Sequence, residues 1–95
     1  MILATAKILI STEECSSLKE KRQIVLSMKD RLRKNFNLSI AEVDFQNNCQ
    51  QGVIGLACVS NDAGHANGLI SKAINFLEQS YPGRIVDYQF NIDIK

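Results

Sequence analysis

The chain has 95 residues, 45% of them hydrophobic and 22% charged, and a formal net charge of +1. This length and composition predict one soluble domain, 1–95, with enough apolar residues for a single hydrophobic core. They exclude a transmembrane helix, because no apolar run approaches the ~20 residues that cross a bilayer. The N-terminal run MILATAKILI lacks the charged leader and cleavage site of a signal peptide, so we interpret it as part of the fold.

The cysteines and the single histidine form no recognisable metal-binding motif. Cys15, Cys49 and Cys58 are widely spaced, and no CxxC pair occurs. A structural zinc site needs several such ligands close together, which this spacing does not provide locally. The sequence therefore predicts free thiols in a reducing cytoplasm, and neither a metal nor a cofactor.

The first element is a predicted strand, Ile2–Ile10. Its residues are apolar on both faces, with Ile2 and Ile8 on one and Leu3 and Leu9 on the other. A polar connection leads from this strand into the next element.

Ser17–Phe36 predicts one long amphipathic helix. Ser17 with Glu20 three residues later has the spacing of a capping box, in which the Glu20 carboxylate would return to the amide of Ser17. The apolar stripe repeats at helical spacing. It consists of Leu18, Val25, Met28, Leu32 and Phe36.

This helix is the most strongly charged part of the chain. Positions 19–34 hold seven basic and two acidic residues, a charge of +5, whereas the other 79 positions hold four basic and eight acidic residues, a charge of −4. Lys19, Lys21 and Arg22 lie in the first turns, where the helix dipole disfavours each cation by about 0.3–1 kcal/mol. We interpret the helix as a candidate anion-binding surface, the alternative being a solvated basic face. The candidate residues are Ser17, Lys19, Lys21, Arg22, Lys29, Arg33 and Lys34.

Leu38–Phe45 and Val53–Ser60 predict an antiparallel hairpin with a polar loop between them. In Leu38–Phe45 the apolar residues change from one face of the strand to the other, which indicates a bulge near Ala41 or burial on both faces. Glu42 and Asp44 would share one face of a regular strand. A solvated face is the simpler interpretation of this pair, and a metal or a shared proton is the alternative.

The last two elements are a helix over 62–80, capped by Asp62, and a strand over Arg84–Ile94. Gly64 and Gly68 weaken the helix, which close approach to a neighbour would explain. We interpret His65 as a partly exposed histidine without a role, a general base being the alternative.

Both elements have a predicted buried face. The helix is predicted to bury Ala66, Leu69, Ile70, Ala73, Ile74 and Leu77, and the strand to turn Val86, Tyr88, Phe90, Ile92 and Ile94 inward.

The order βαββαβ predicts an α+β ferredoxin-like sandwich, a four-stranded antiparallel sheet with two helices on one face. Neither Ile2–Ile10 nor Val53–Ser60 holds an aromatic residue, which argues against base stacking of the RRM kind. The loop after the first strand, STEECS, lacks the arginine of an acylphosphatase and the MxCxxC of a copper chaperone.

Three segments resemble the YlxP-like family, a bacterial domain of unknown function. They are SLKEKR at 17–22, KDRLRKNFNLSIAEVD at 29–44 and VSNDAGHA at 59–66. The resemblance implies a ferredoxin-like fold and a cytoplasmic bacterial protein. Because members are often encoded among translation and ribosome-maturation factors, it also implies an RNA or ribosome partner. It carries over no catalytic residue.

Two functions of different classes remain. The first is a small, non-enzymatic binding protein that contacts RNA or ribosomal particles through the basic helix. Reversing Lys19, Lys21 and Arg22 to Glu is then expected to weaken RNA binding and to leave the fold intact. The second is a homodimeric interaction module that uses the sheet face without helices, with Leu3 and Leu9, or Ile2 and Ile8, on it. Neither function involves a membrane.

Overall fold

A computed structural model describes residues 1–95. The elements are β1 (Ile2–Ser11), α1 (Leu18–Asn35), β2 (Ser39–Asp44), β3 (Gln51–Ser60), α2 (Ala63–Ser80) and β4 (Ile85–Ile94). The predicted βαββαβ order is confirmed, and every boundary lies within two residues of its sequence prediction. Asp62 caps α2 as predicted, since its Oδ2 accepts the backbone N–H of His65 at 2.8 Å.

The strands form one antiparallel sheet in the order β2-β3-β1-β4. β1 is therefore central, and Ile8 lies opposite Ile54 of β3 and Tyr88 of β4. The predicted hairpin is confirmed, because β2 and β3 are neighbours. β2 and β4 are the two edges, and this arrangement with two helices is the ferredoxin-like sandwich that the sequence predicts.

Both helices cover one face of the sheet, and the core lies between them and that face. Alternate residues of β1 from Ile2 to Ile10 are buried there, which leaves Leu3 and Leu9 on the open face. The predicted stripe of α2 is also buried, with Leu69 only half-buried at its margin. The sequence left open which side of β1 faces the helices. In the structure, Ile2 and Ile8 lie on the side that faces them.

β4 departs from its predicted burial. Its even-numbered residues from Tyr88 to Ile94 lie on the helix side, as the pairing of Tyr88 with Ile8 and of Ile92 with Ala4 shows. Phe90 is half-buried and packs against the core as predicted, but Val86, Tyr88, Ile92 and Ile94 are exposed, at 59%, 50%, 36% and 83%. The prediction that these exposed side chains face into the core was wrong. α2 packs mainly over β1 and β3, so the helix layer ends before it covers the edge strand.

β2 carries the predicted bulge, slightly further along than Ala41. Ile40 and Glu42 lie opposite Leu56 and Ile54, which places both on the helix side. The register then shifts, and Asp44 lies opposite Val53, a residue of the open face. Glu42 and Asp44 therefore do not share a face, contrary to the prediction for a regular strand, because the bulge inserts one residue between them.

The glycines differ in their packing. Gly55 lets Val43 pack over the sheet, since a Cβ there would lie 2.8 Å from Val43 Cγ1. No atom lies within 4 Å of a Cβ built on Gly68, and Gly64 would meet only Asp62. Close approach to a neighbour, the predicted reason for the glycines of α2, is therefore not what places them there.

Candidate nucleic-acid interface

The N-terminus of α1 is capped by its own side chains. Ser17 is the N-cap, and its hydroxyl accepts the N–H of Glu20 at 3.2 Å. The Glu20 carboxylate returns to Ser16 rather than to Ser17, accepting the Ser16 N–H at 3.3 Å and its hydroxyl at 2.9 Å. Ser17 thus serves as a helix cap, and the Glu20 carboxylate supplies the negative charge that the dipole favours there.

Lys21 does not lie on the basic surface. Its side chain is 1% exposed and is among the largest fully buried side chains of the protein. The prediction that Lys21 belongs to an exposed anion-binding face was wrong. Lys21 is four residues before Val25 and seven before Met28, so helical spacing places it on the apolar stripe itself.

Inside the core, Lys21 joins three elements. Its Nζ lies 2.9 Å from Oε2 of Glu42, whose side chain is 17% exposed, and donates to the carbonyl oxygen of Phe45 at 2.6 Å. Phe45 has φ +58, a left-handed conformation that is unusual for a bulky residue. Gly52 closes the site from β3, because a Cβ there would lie 3.2 Å from Lys21 Cε and 3.1 Å from Glu42 Oε2.

The Lys21–Glu42 contact is mainly electrostatic. Oε2 of Glu42 is buried and no donor reaches it with hydrogen-bonding geometry, although Lys21 Nζ is close. A buried charge needs a partner of opposite sign, because removing an unpaired charge from water costs on the order of several kcal/mol. Each residue therefore fixes the other, and both belong to the scaffold that holds α1 against β2.

The remaining cations form a stripe along α1. Lys19, Arg22, Lys29 and Arg33, here called the basic stripe, are separated by three, seven and four residues, which places them within about 80° of one another around the helix. Lys29 is half-buried and the other three are exposed. The stripe spans about 21 Å along the helix axis.

The basic stripe lies on the side of α1 that faces β2. Arg33 Nη2 reaches the carbonyl oxygen of Ile40 at 3.4 Å, a long contact. The stripe forms no ion pair, because the two ion pairs of the chain are Lys21–Glu42 and Arg84–Glu14. The four cations are therefore available to an external anion.

Two further cations of α1 lie outside the stripe. The guanidinium of Arg31 is 5.9 Å from the ring centroid of Phe76 and 5.4 Å from that of Tyr81, so it packs on α2 and the turn after it. Lys34, a predicted site residue, is exposed near the end of the helix and on a different side from the stripe. Arg31 is held by the fold, and Lys34 is a peripheral charge.

The histidine, the cysteines and the carboxylates form no group of three or more side chains that could hold a metal ion. His65 is exposed at the start of α2. Burial raises the pKa of the Cys58 thiol. Burial, reinforced by the carboxylates of Glu14 and Glu20, also raises the pKa of the Cys15 thiol. A thiol with a raised pKa is a weaker nucleophile at neutral pH, which agrees with the interpretation of these cysteines as ordinary free thiols.

The open sheet face is a shallow, mixed surface. Its centre, a depression of about 420 Å³, is lined by small and polar residues of all four strands, among them Thr5, Ala57 and Asn91. Apolar side chains lie around it, with Leu3, Leu9 and Val53 half-buried and Val43 and Val59 exposed. β1 and β3 present no aromatic residue to this face, as the sequence predicts.

Fold and surface together define a class: a ferredoxin-like α+β protein with a basic stripe on its first helix. The chain belongs to the family described as "Protein of unknown function (DUF503)", whose model matches residues 3–90. It is similar to "Uncharacterized protein YlxP" of Bacillus subtilis (strain 168), with 30% identity over 69 residues, 73% of this chain and 74% of that protein. The resemblance to the YlxP-like family is thereby confirmed.

The fold is also seen in a solved structure. "De novo designed protein Foldit4" superposes with a TM-score of 0.52 over 99% of this chain and 97% of its own, at 9% sequence identity. That likeness concerns the fold alone. None of the helices has the length and apolarity required to span a membrane.

Proposed function

We propose that this protein binds the phosphate backbone of RNA, in association with ribosomal particles, through the basic stripe Lys19, Arg22, Lys29 and Arg33. The observation that carries the proposal is that these four cations share one side of α1 and have no acidic partner. A rigid row of unpaired cations suits a polyanion, because several phosphates are met at once and their counterions are released. The translation partner implied by the family resemblance agrees with this chemistry.

The stripe favours backbone contact over base recognition. The one apolar residue within it is Leu26, which is 55% exposed and carries no ring on which a base could stack. The binding is therefore expected to depend on charge, with weak sequence preference. The protein would act in this role as a binding protein and not as an enzyme.

The experiment compares two variants with the same change in net charge. Arg22→Glu with Lys29→Glu reverses the centre of the stripe, and Lys7→Glu with Lys72→Glu reverses two exposed lysines on other surfaces. Binding to ribosomal particles and to unstructured RNA at low salt is expected to be lost in the first variant and nearly retained in the second. Equal losses would indicate a general charge effect, and an unbound parent would refute the proposal.

A second candidate is a protein-interaction module that forms a homodimer through the open sheet face. Val59, 64% exposed, and its cross-strand neighbour Leu3 favour it, because they place apolar surface on that face. The variant Val59→Asp is expected to dissociate such a dimer without unfolding the protein. Sedimentation at micromolar concentration tests this, and a dimer that resists the substitution does not use this face.

A further inference from the structure

β4 is an unprotected edge. Edge strands are usually kept from pairing by short length, by bulges, or by lysine and proline. β2, the other edge, has six residues and a bulge in its middle. β4 runs for ten residues without a lysine or a proline, and its one irregularity, at Val86, lies near its start and leaves Asp87–Ile94 regular. Its helix-side row consists of Tyr88, Phe90, Ile92 and Ile94. Phe90 is half-buried, and the other three side chains are exposed.

The backbone N–H and C=O groups of β4 that do not bond to β1 belong to the same even-numbered residues. Lys95 donates its N–H to the Met1 carbonyl oxygen at 2.8 Å, and the Met1 amine donates to the Lys95 carbonyl oxygen at 3.1 Å. Residues of an antiparallel strand bond alternately to either side, so the odd-numbered residues of β4 bond to β1 and the even-numbered ones point outward. The outward N–H of Tyr88 is held by Oδ1 of Asp87 at 2.8 Å, whereas Phe90 and Ile92 offer theirs to a new strand.

We propose that a second copy of this chain docks on β4, the two strands pairing antiparallel about a two-fold axis at Asn91. The outward backbone groups belong to even-numbered residues, so an even-numbered residue must face an even-numbered residue of the partner strand. The numbers of two facing residues therefore add up to an even number. An axis at Phe90 would set Asp87 opposite the partner's Asp93, and this like-charge contact would occur twice. An axis at Asn91 sets Asp87 opposite the partner's Lys95, an attractive contact that also occurs twice. Charge complementarity therefore selects the Asn91 register.

In that register the apolar side chains of the two helix-side rows also face one another. Phe90 faces Ile92 of the partner and Tyr88 faces its Ile94, so the side chains that the helix layer leaves exposed cover one another. Phe90 and Ile92 exchange backbone hydrogen bonds with no rearrangement of the strand. The result is a continuous eight-stranded sheet, with the basic stripes beside β2 at its two outer ends. The interface is thus independent of the proposed RNA contact. It meets the open sheet face only at the margin formed by the odd-numbered residues from Asp87 to Lys95.

Charge reversal tests the register. Asp87→Lys alone and Lys95→Asp alone each create two like-charge contacts across the axis and are expected to raise the dimer Kd about tenfold or more. The double variant restores opposite charges and is expected to recover the parent Kd. Sedimentation at micromolar concentration measures these values, and thermal melting verifies that each variant folds. A monomeric parent, or a double variant no better than the singles, overturns the proposal.

A cross-link tests the position of the axis. Asn91→Cys places two thiols opposite each other at about 4.5 Å between Cα atoms, within disulfide range. Gln89→Cys is the matched control, because its two copies lie four residues apart along the strands, roughly 13 Å. Mild oxidation is expected to give a covalent dimer with Asn91→Cys and none with Gln89→Cys or the parent. A cross-link with Gln89→Cys, or none with Asn91→Cys, contradicts the register.

Discussion

Lys21 Nζ and Glu42 Oε2 lie 2.9 Å apart inside the core, where α1 packs against β2. The pair divides the cations of α1 into two groups with different roles. Lys21 is part of the scaffold and fixes the register between helix and sheet, whereas the basic stripe faces solvent. Variants of the helix must therefore be chosen by the direction of each side chain and not by charge alone.

Removing one member of the pair is expected to destabilise the fold strongly. Lys21→Ala leaves Glu42 buried without its partner, which lowers the free energy of unfolding by about 3–5 kcal/mol. Lys21→Met combined with Glu42→Leu replaces both charges with apolar groups of similar size and is expected to recover most of that loss. Chemical denaturation measures both, and Lys19→Ala, at an exposed position, serves as the control. A loss of less than 1 kcal/mol, roughly the scale of an exposed pair, would show that Lys21 is not held as described.

The same contact changes the expectation for the triple reversal of Lys19, Lys21 and Arg22. Glutamate at position 21 would place a second carboxylate beside Glu42 in the core, so the fold is not expected to survive intact. The stripe is tested without this complication by leaving Lys21 unchanged.

Gly52 is expected to accept a side chain only with a loss of stability. A Cβ at Gly52 would lie close to both members of the ion pair, so Gly52→Ala is expected to cost about 1–3 kcal/mol through overpacking. Gly68→Ala is the matched control: it lies within α2 with open space around its Cβ, and it is expected to stabilise the protein by up to about 1 kcal/mol. Thermal melting of the two variants should shift in opposite directions. A shift of both in the same direction would contradict this packing.

The Glu14–Arg84 pair predicts a dependence of stability on acid. The hydrogen bonds from Arg84, at 2.8 and 3.0 Å, together with its charge, hold the pKa of Glu14 below its ordinary value of 4.5. Because the folded-state pKa is the lower one, the contribution of the pair is complete above pH 4.5 and is lost as the pH falls through the folded-state pKa.

The measurement for this pair is urea denaturation of the parent and of Glu14→Gln across the acid range. The difference in unfolding free energy between the two is expected to be constant near neutral pH and to narrow below pH 4.5. A difference that widens on acidification would have the wrong sign for a lowered carboxyl pKa.

The sequence predicted the elements well because most of them have a clear hydrophobic period, as in the alternation of β1 and the stripe of α2, and β2, whose period slips, is bounded by polar residues. The sequence could not predict which parts of the sheet each helix covers. The pattern of β4 correctly assigns Tyr88 and Ile92 to the helix side, but only the placement of α2 shows that nothing covers them. The burial of Lys21 depends on Glu42, a residue of another element beside a bulge. The position of Lys21 on the apolar stripe was the one signal available in the sequence.

The salt dependence of RNA binding tests the central claim most directly. If the four cations of the basic stripe each neutralise one phosphate of a single strand, the logarithm of the binding constant should fall with the logarithm of salt concentration with a slope of about −3. Arg22→Gln should reduce the slope by about 0.7, while Lys72→Gln, on α2, should leave it unchanged. This pattern would place the contact on the stripe. A slope near zero, or one that Lys72→Gln reduces as much as Arg22→Gln, would contradict the account.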